Sequence, residues 1–96
     1  MGLKDINGFE WDTSNILKNW EKHKVDYKEC EEIFFNQKLL INEDKKHSKQ
    51  EKRFQALGKT NKKRKLFVAF TFRSKKIRII SARDMNRKEK NEYEKT

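Results

Sequence analysis

A chain of 96 residues with only a third of them hydrophobic and 42% charged holds one domain, residues 1–96, around a small core rich in phenylalanine. Its net charge of +10 points to a polyanionic partner. The single cysteine, Cys30, excludes an internal disulfide, no apolar run nears the roughly 20 residues that cross a bilayer, and the opening residues lack a secretory apolar core, so the expected setting is a reducing cytoplasm with no membrane contact.

Phe9–Asp12 is short, aromatic and alternating, and predicts a brief first strand. Asp12 is placed to cap a helix running to about His23, with Ile16, Leu17 and Trp20 as its apolar face. A second helix begins at Asp26, where Glu29 three residues on completes a capping box and Val25 and Cys30 stand at staple spacing. Tyr27, Cys30, Ile33 and Phe34 form its expected buried stripe, with Cys30 a core residue. Leu39–Ile41 predicts a strand, Glu43–Gln50 a polar hairpin loop, and Glu51–Leu57 the next strand, closed by Gly58. In that strand Glu51, Arg53 and Gln55 share one face. Thr60–Lys65 is a basic loop.

Two strong strands follow. With Ser74–Lys75 as the turn, Phe70 and Phe72 oppose Ile79 and Ile77, while Thr71 and Arg73 share the other face with Arg78. From about Asp84 to Lys95 a helical pattern returns, with Met85, Glu89 and Tyr93 one turn apart. The expected class is α+β: a short first strand, two helices, a four-stranded antiparallel sheet with the helices on one face, and a C-terminal helix.

The charge is polarised. Residues 1–45 carry 7 lysines against 10 acids, or −3; residues 46–96 carry 18 lysines and arginines against 5 acids, or +13, and all six arginines lie there. Arginine's fixed fork of donors suits phosphate oxygens. Lys62–Lys65, including Arg64 and Lys65, is a cluster able to track a phosphate backbone or simply to face solvent. His23 and His47 are far apart and belong to no ligand cluster, and three glycines form no phosphate loop, so no metal or cofactor is expected. Glu51 and Arg53 beside Arg73, Arg78 and Arg83 suit RNA cleavage without a metal, in which a base takes the ribose 2′-proton, cations stabilise the phosphorane and an acid protonates the departing oxygen. Glu51 or His23 is the candidate base. The same spacing also suits a structural ion pair, and His23 a helix-dipole partner.

The chain resembles the BrnT toxins of bacterial type II toxin–antitoxin modules, which are RelE-like ribonucleases. The resemblance rests on Phe9-Glu10-Trp11-Asp12, Asn19 with Lys22-His23, Val25 with Tyr27, Glu51-Lys52-Arg53-Phe54 with Gly58, Thr71-Phe72-Arg73, Ile77 to Arg83, and Arg87, Glu89 and Tyr93. Asn15 stands where the family commonly has Lys, Lys24 where it has Gly, Phe72 where it has Glu, and Asp84 where it has a basic residue. The resemblance implies a RelE-like fold and a toxin that cleaves RNA and inhibits translation. It also implies a BrnA-like ribbon-helix-helix antitoxin, with operator DNA bound only through the complex. By matching positions it implies Lys22, His23, Glu51, Arg53, Arg73 and Arg83 as catalytic candidates, with Arg78 also in the site; Arg64, Lys65, Arg78 and Arg87 complete the RNA-binding set. Two other readings stay open: a nucleic-acid-binding module without catalysis, and a toxin homologue that has lost activity.

Overall fold

The computed structural model describes residues 7–96. In chain order the elements are β1 (Phe9–Glu10), α1 (Thr13–His23), α2 (Tyr27–Glu32), β2 (Leu40–Glu43), a 3-10 turn (Lys45–His47), β3 (Arg53–Lys59), β4 (Lys65–Arg73), β5 (Lys76–Asp84) and α3 (Arg87–Lys95). The helix starts follow from local chemistry. The Asp12 carboxylate accepts from the Ser14 N–H, and Asp26 and Asn86 each form a capping box with Glu29 and Glu89. Val25 and Cys30, on either side of the Asp26 cap, are fully buried in one cluster.

The sheet corrects the expected four antiparallel strands. It has five, in the order β1-β5-β4-β3-β2. β1 joins the edge of β5 in parallel, pairing Phe9 with Ile77 and Glu10 with Arg78, so the sheet is mixed. The other pairings are antiparallel. The β4–β5 hairpin has the expected register, Phe70 opposite Ile79 and Phe72 opposite Ile77. Its turn residues Ser74 and Lys75 both take positive φ, 52° and 63°, the tight hairpin turn whose twist matches the flanking strands.

The helices also depart from expectation, because they cover both faces of the sheet. Val25, Cys30 and Ile33 pack with Ala56, Leu66, Val68, Phe70, Ile77, Ile79 and Ala82 on one face. Tyr93 and Met85 pack with Leu57, Leu40 and Phe67, which alternation puts on the other. The C-terminal helix therefore closes one end of the face opposite α1 and α2. On α1, Leu17 and Trp20 remain 54% and 49% exposed, whereas Asn19 is the residue buried against β5. Tyr27 is likewise exposed at the start of α2.

β3 begins two residues later than expected and runs through Gly58 to Lys59. Gly58 is a packing glycine: a Cβ there would meet the Ile33 Cβ at 2.9 Å. Glu51 and Lys52 precede the strand. Among the described residues no helix is long and apolar enough to cross a membrane.

Candidate active site

One irregularity decides which arginines share a face. Arg78 and Arg83 are five residues apart, and an odd separation puts two residues on opposite faces of a regular strand. In β5, Ala69 opposes Ser81 while Phe70 opposes Ile79, so Ile80 is an extra residue, a β-bulge. The bulge turns Ala82 into the core and Arg83 out beside Phe67, on the face that carries Arg53, Thr71, Arg73 and Arg78.

That face has two ends. At one end Arg83 forms a two-pronged ion pair with Glu89 of α3, at 2.8 and 2.9 Å, and its guanidinium lies 4.1 Å from the Phe67 ring centroid. Burial pushes the Glu89 carboxyl up, but the Arg83 bonds, the Asn86 N–H and the Arg83 charge together hold it below its ordinary value. Arg83 is thus tied to the helix.

At the other end Arg73 lies between two carboxylates, 3.6 Å from Glu51 Oε2 and 3.7 Å from Glu10 Oε1. Arg78 takes Glu10 at 2.5 Å and stands 3.6 Å from Asp12. Glu51, Arg53 and Arg73 line a cleft of about 820 Å³ together with Lys46, His47, Lys49 and Gln50. Arg53 has no carboxylate partner within ion-pair distance among the described residues. Four formal cations thus face one carboxylate in a solvent-open cleft, a setting that suits an anionic group such as a phosphodiester beside a carboxylate.

Polar contacts set this geometry. The Thr71 hydroxyl, on a fully buried residue, donates to the Lys52 carbonyl at 2.6 Å and so pins the segment carrying Glu51 against β4. Ser48 Oγ donates to the Asp44 carbonyl at 2.6 Å and accepts the Arg53 N–H at 2.9 Å. The Asp44 N–H in turn donates to the Arg53 carbonyl at 2.7 Å. The 44–48 loop and Arg53 therefore form one locally hydrogen-bonded unit.

The remaining candidates lie elsewhere. Lys22 and His23 end α1, and the His23 carbonyl accepts from Arg64 Nη2 at 3.1 Å. The same guanidinium binds Asp84 at 2.7 Å, Glu29 at 3.1 Å and the Lys24 carbonyl at 2.9 Å. Asp84 pairs with Leu66, seven residues along β4 from Arg73, or about 23 Å at the usual strand rise. Lys22 and His23 are thus held at the end of the sheet remote from the cleft. Lys65 pairs with Glu94, and Arg87 is exposed at the first residue of α3.

The residue that sequence reading passed over is His47. Nothing in its spacing from Glu51 marks it; only the fold of the β2–β3 connection brings it to the cleft. The signal available was the Asp44–Ser48 run, with a cap residue, a histidine three positions on and a serine after it.

Residues 11–89 match the family model described as "Ribonuclease toxin, BrnT, of type II toxin-antitoxin system". Among solved structures, the 1.1 Å crystal structure of the Brucella abortus ribonuclease toxin, BrnT, is similar with a TM-score of 0.63 at 20% identity, over 83% of this chain and 97% of that one. At that identity the likeness establishes a shared fold. No curated protein sequence matches the chain.

Proposed function

The chain belongs to the BrnT family of ribonuclease toxins of type II toxin–antitoxin systems, and we propose that it is a metal-independent endoribonuclease whose reacting phosphate sits in the cleft beside Glu51, Arg53 and Arg73. The observation that carries this reading is the 3.6 Å contact of Glu51 with Arg73 at the wall of an open, cationic cleft. In the proposed reaction Glu51 takes the ribose 2′-proton. The 2′-oxygen attacks phosphorus, and Arg53 and Arg73 stabilise the extra negative charge. The P–O5′ bond breaks, leaving a 2′,3′-cyclic phosphate. DNA has no 2′-hydroxyl and is not a substrate for this route.

Arg78 acts by fixing Glu10, which in turn places Arg73. Arg83, bound to Glu89, contributes positive potential and holds α3. Lys22, His23, Lys65 and Arg87 serve as outlying contacts for an extended RNA, and Arg64 as a brace for them. Two helices on one sheet face and an arginine-rich opposite face support a RelE-like reading of the domain. A toxin of a type II module has an antitoxin partner. Here that partner is proposed to be a BrnA-like ribbon-helix-helix protein, whose acidic segments suit the +13 half of the chain and whose complex binds operator DNA. Cleavage of messenger RNA then inhibits translation.

The test is incubation of the antitoxin-free protein with end-labelled RNA in EDTA, beside Glu51→Gln and Arg73→Ala. The expected result is cleavage by the wild type to 2′,3′-cyclic ends, reduced at least about 100-fold in either variant. Glu51→Gln should still bind RNA, since removing an anion from a cationic cleft does not weaken phosphate attraction. Salt-sensitive binding without cleavage by the wild type, with or without ribosomes, would instead establish a binding module.

A further inference from the structure

Resting on the ribonuclease reading above, we infer that His47 is the proton donor to the departing 5′-oxygen, with Asp44 as its positioning residue. The reaction needs an acid as well as a base, and the acid has to stand in the same cleft as Glu51. His23 is at the remote end of the sheet, about 23 Å away along β4. His47 lines the cleft itself, with its side chain 58% exposed.

His47 is held as a catalytic histidine needs to be. Its Nδ1 lies 2.8 Å from Asp44 Oδ2, and the Asp44 side chain is only 16% exposed. Asp44 also caps the 3-10 turn by accepting the His47 N–H at 3.4 Å. The Asp44 carboxyl is held below the ordinary carboxylate range, chiefly by its hydrogen bond with His47, with Gln55 adding to it against the cost of burial. An ionised carboxylate only accepts, so Nδ1 donates to it. That leaves Nε2 as the nitrogen available for proton exchange with a bound substrate. The charged groups lining the same cleft are Lys46 and Lys49 of the loop, Glu51 just before β3, Arg53 at its first residue, and Arg73 at the end of β4.

The proton balance is complete. The 2′-oxygen forms its bond to phosphorus as Glu51 accepts its proton. The P–O5′ bond breaks as His47 Nε2–H passes its proton to the leaving oxygen. The products are a 2′,3′-cyclic phosphate and a free 5′-hydroxyl, and no electrons are transferred to any other reagent.

The experiment compares wild type, His47→Ala and His47→Gln on two substrates: ordinary RNA, and the same RNA with sulfur replacing the 5′-bridging oxygen at the cleaved bond. A thiolate leaves without being protonated. Glutamine keeps a donor toward Asp44, so it tests proton transfer separately from loop geometry. Both variants should lose at least about 100-fold on ordinary RNA and retain near wild-type rates on the sulfur substrate. The alkaline fall in the wild-type pH–rate profile should vanish, and added imidazole should restore part of the activity of His47→Ala. Equal losses on both substrates would make His47 structural and overturn the inference, as would unchanged rates on ordinary RNA. If the wild type cleaves neither substrate, the ribonuclease reading itself falls, and the proton donor with it.

Discussion

Asn19 Oδ1 accepts the backbone N–H of Ala82 at 3.2 Å, across the open edge of β5 beyond the two residues of β1. Asn15, one turn earlier on α1, donates to the Ile79 carbonyl at 3.4 Å. The two asparagines thus take the main-chain groups on either side of the Ile80 bulge. They give the bulged edge the partners a sheet strand would otherwise supply, and the bulge in turn sets the face on which Arg83 stands. Asn19→Ala leaves the buried Ala82 N–H unpaired, which costs about 1–3 kcal/mol. The buried Asn19 Nδ2 has no partner among the described residues, so its removal offsets part of that cost. The expected net loss is about 1–2 kcal/mol by urea unfolding, and a loss below a few tenths would deny the bulge this anchor.

These contacts also show where sequence reading reached its limit. Helix caps, the Ser74–Lys75 turn and the Phe70–Ile79 register depend on neighbours a few residues away, and each was legible. The bulge was not. Charge and the family resemblance put Arg78 and Arg83 in a common site, without the extra residue that their odd spacing requires. Leu17 and Trp20 have the spacing of a buried face, yet the chain buries Asn19 because β5 presents unpaired backbone there. Gly58 resembled a terminator, whereas Ile33, distant in sequence, is what excludes a side chain. In the candidate site, the nearness of Glu51 to Arg73 and Arg53 could be anticipated from strand order. The loop that brings in His47 takes its shape from the bonds of Asp44 and Ser48 to the Arg53 backbone, and residue spacing alone does not give that shape.

Lys24 caps α1 in the left-handed region, with φ 53° and ψ 39°, and its N–H reaches the Asn19 and Trp20 carbonyls. The resemblance places Gly here in the family, and the turn is kept with Lys in its place. A left-handed backbone costs a non-glycine residue about 1–2 kcal/mol. Glycine's greater freedom in the unfolded chain returns about half of that. Lys24→Gly should therefore stabilise the protein by about 0.5–1 kcal/mol, read as a higher urea midpoint at unchanged slope. A loss of stability would show that the Lys24 ammonium, 5.4 Å from the Trp20 ring centroid, matters more than the backbone strain.

Asp84 replaces a basic residue of the resembled family and answers the charge of Arg64. The Arg64 hydrogen bond, reinforced by charge, holds the Asp84 carboxyl below its ordinary value despite some burial. A carboxyl with a lowered folded pKa stabilises fully above its unfolded value of about 3.9 and loses that contribution as pH falls through the folded value. Asp84→Asn should lower stability at pH 7 and flatten the decline below about pH 4. Thermal unfolding across pH 2–7 (roughly the carboxylate range) checks this, and parallel curves for wild type and variant would contradict it.

Cys30 is fully buried, and burial, with Glu29, Asp26 and Glu31 nearby, pushes its thiol up to about 12. At pH 8 (roughly neutral for this purpose) almost none of it is thiolate, the species that reacts. Ellman's reagent should therefore label the native protein only at the rate of opening, and label it at once in denaturant. Rapid native labelling would mean that the α2–sheet contact opens far more readily than its packing implies.

Arg73 and Arg83 stand on one face but should fail differently when removed. Arg83→Ala deletes the paired bond to Glu89 and the stack on Phe67, both of which dock α3. Partly exposed contacts of these kinds together contribute about 1–2 kcal/mol, and the loss should appear in unfolding. Arg73 lies half exposed between two carboxylates at 3.6 and 3.7 Å, too loosely to hold the fold. Arg73→Ala should leave stability within about 0.5 kcal/mol of wild type and abolish most RNA cleavage. Glu89→Gln supplies the control, since it weakens the hold on Arg83 while leaving the arginine in place. If α3 docking is all that Arg83 provides, Arg83→Ala should lose more stability than Glu89→Gln, because it also removes the Phe67 stack, and the two should keep similar activity. A cleavage defect in Arg83→Ala that Glu89→Gln does not share would instead place Arg83 on the substrate.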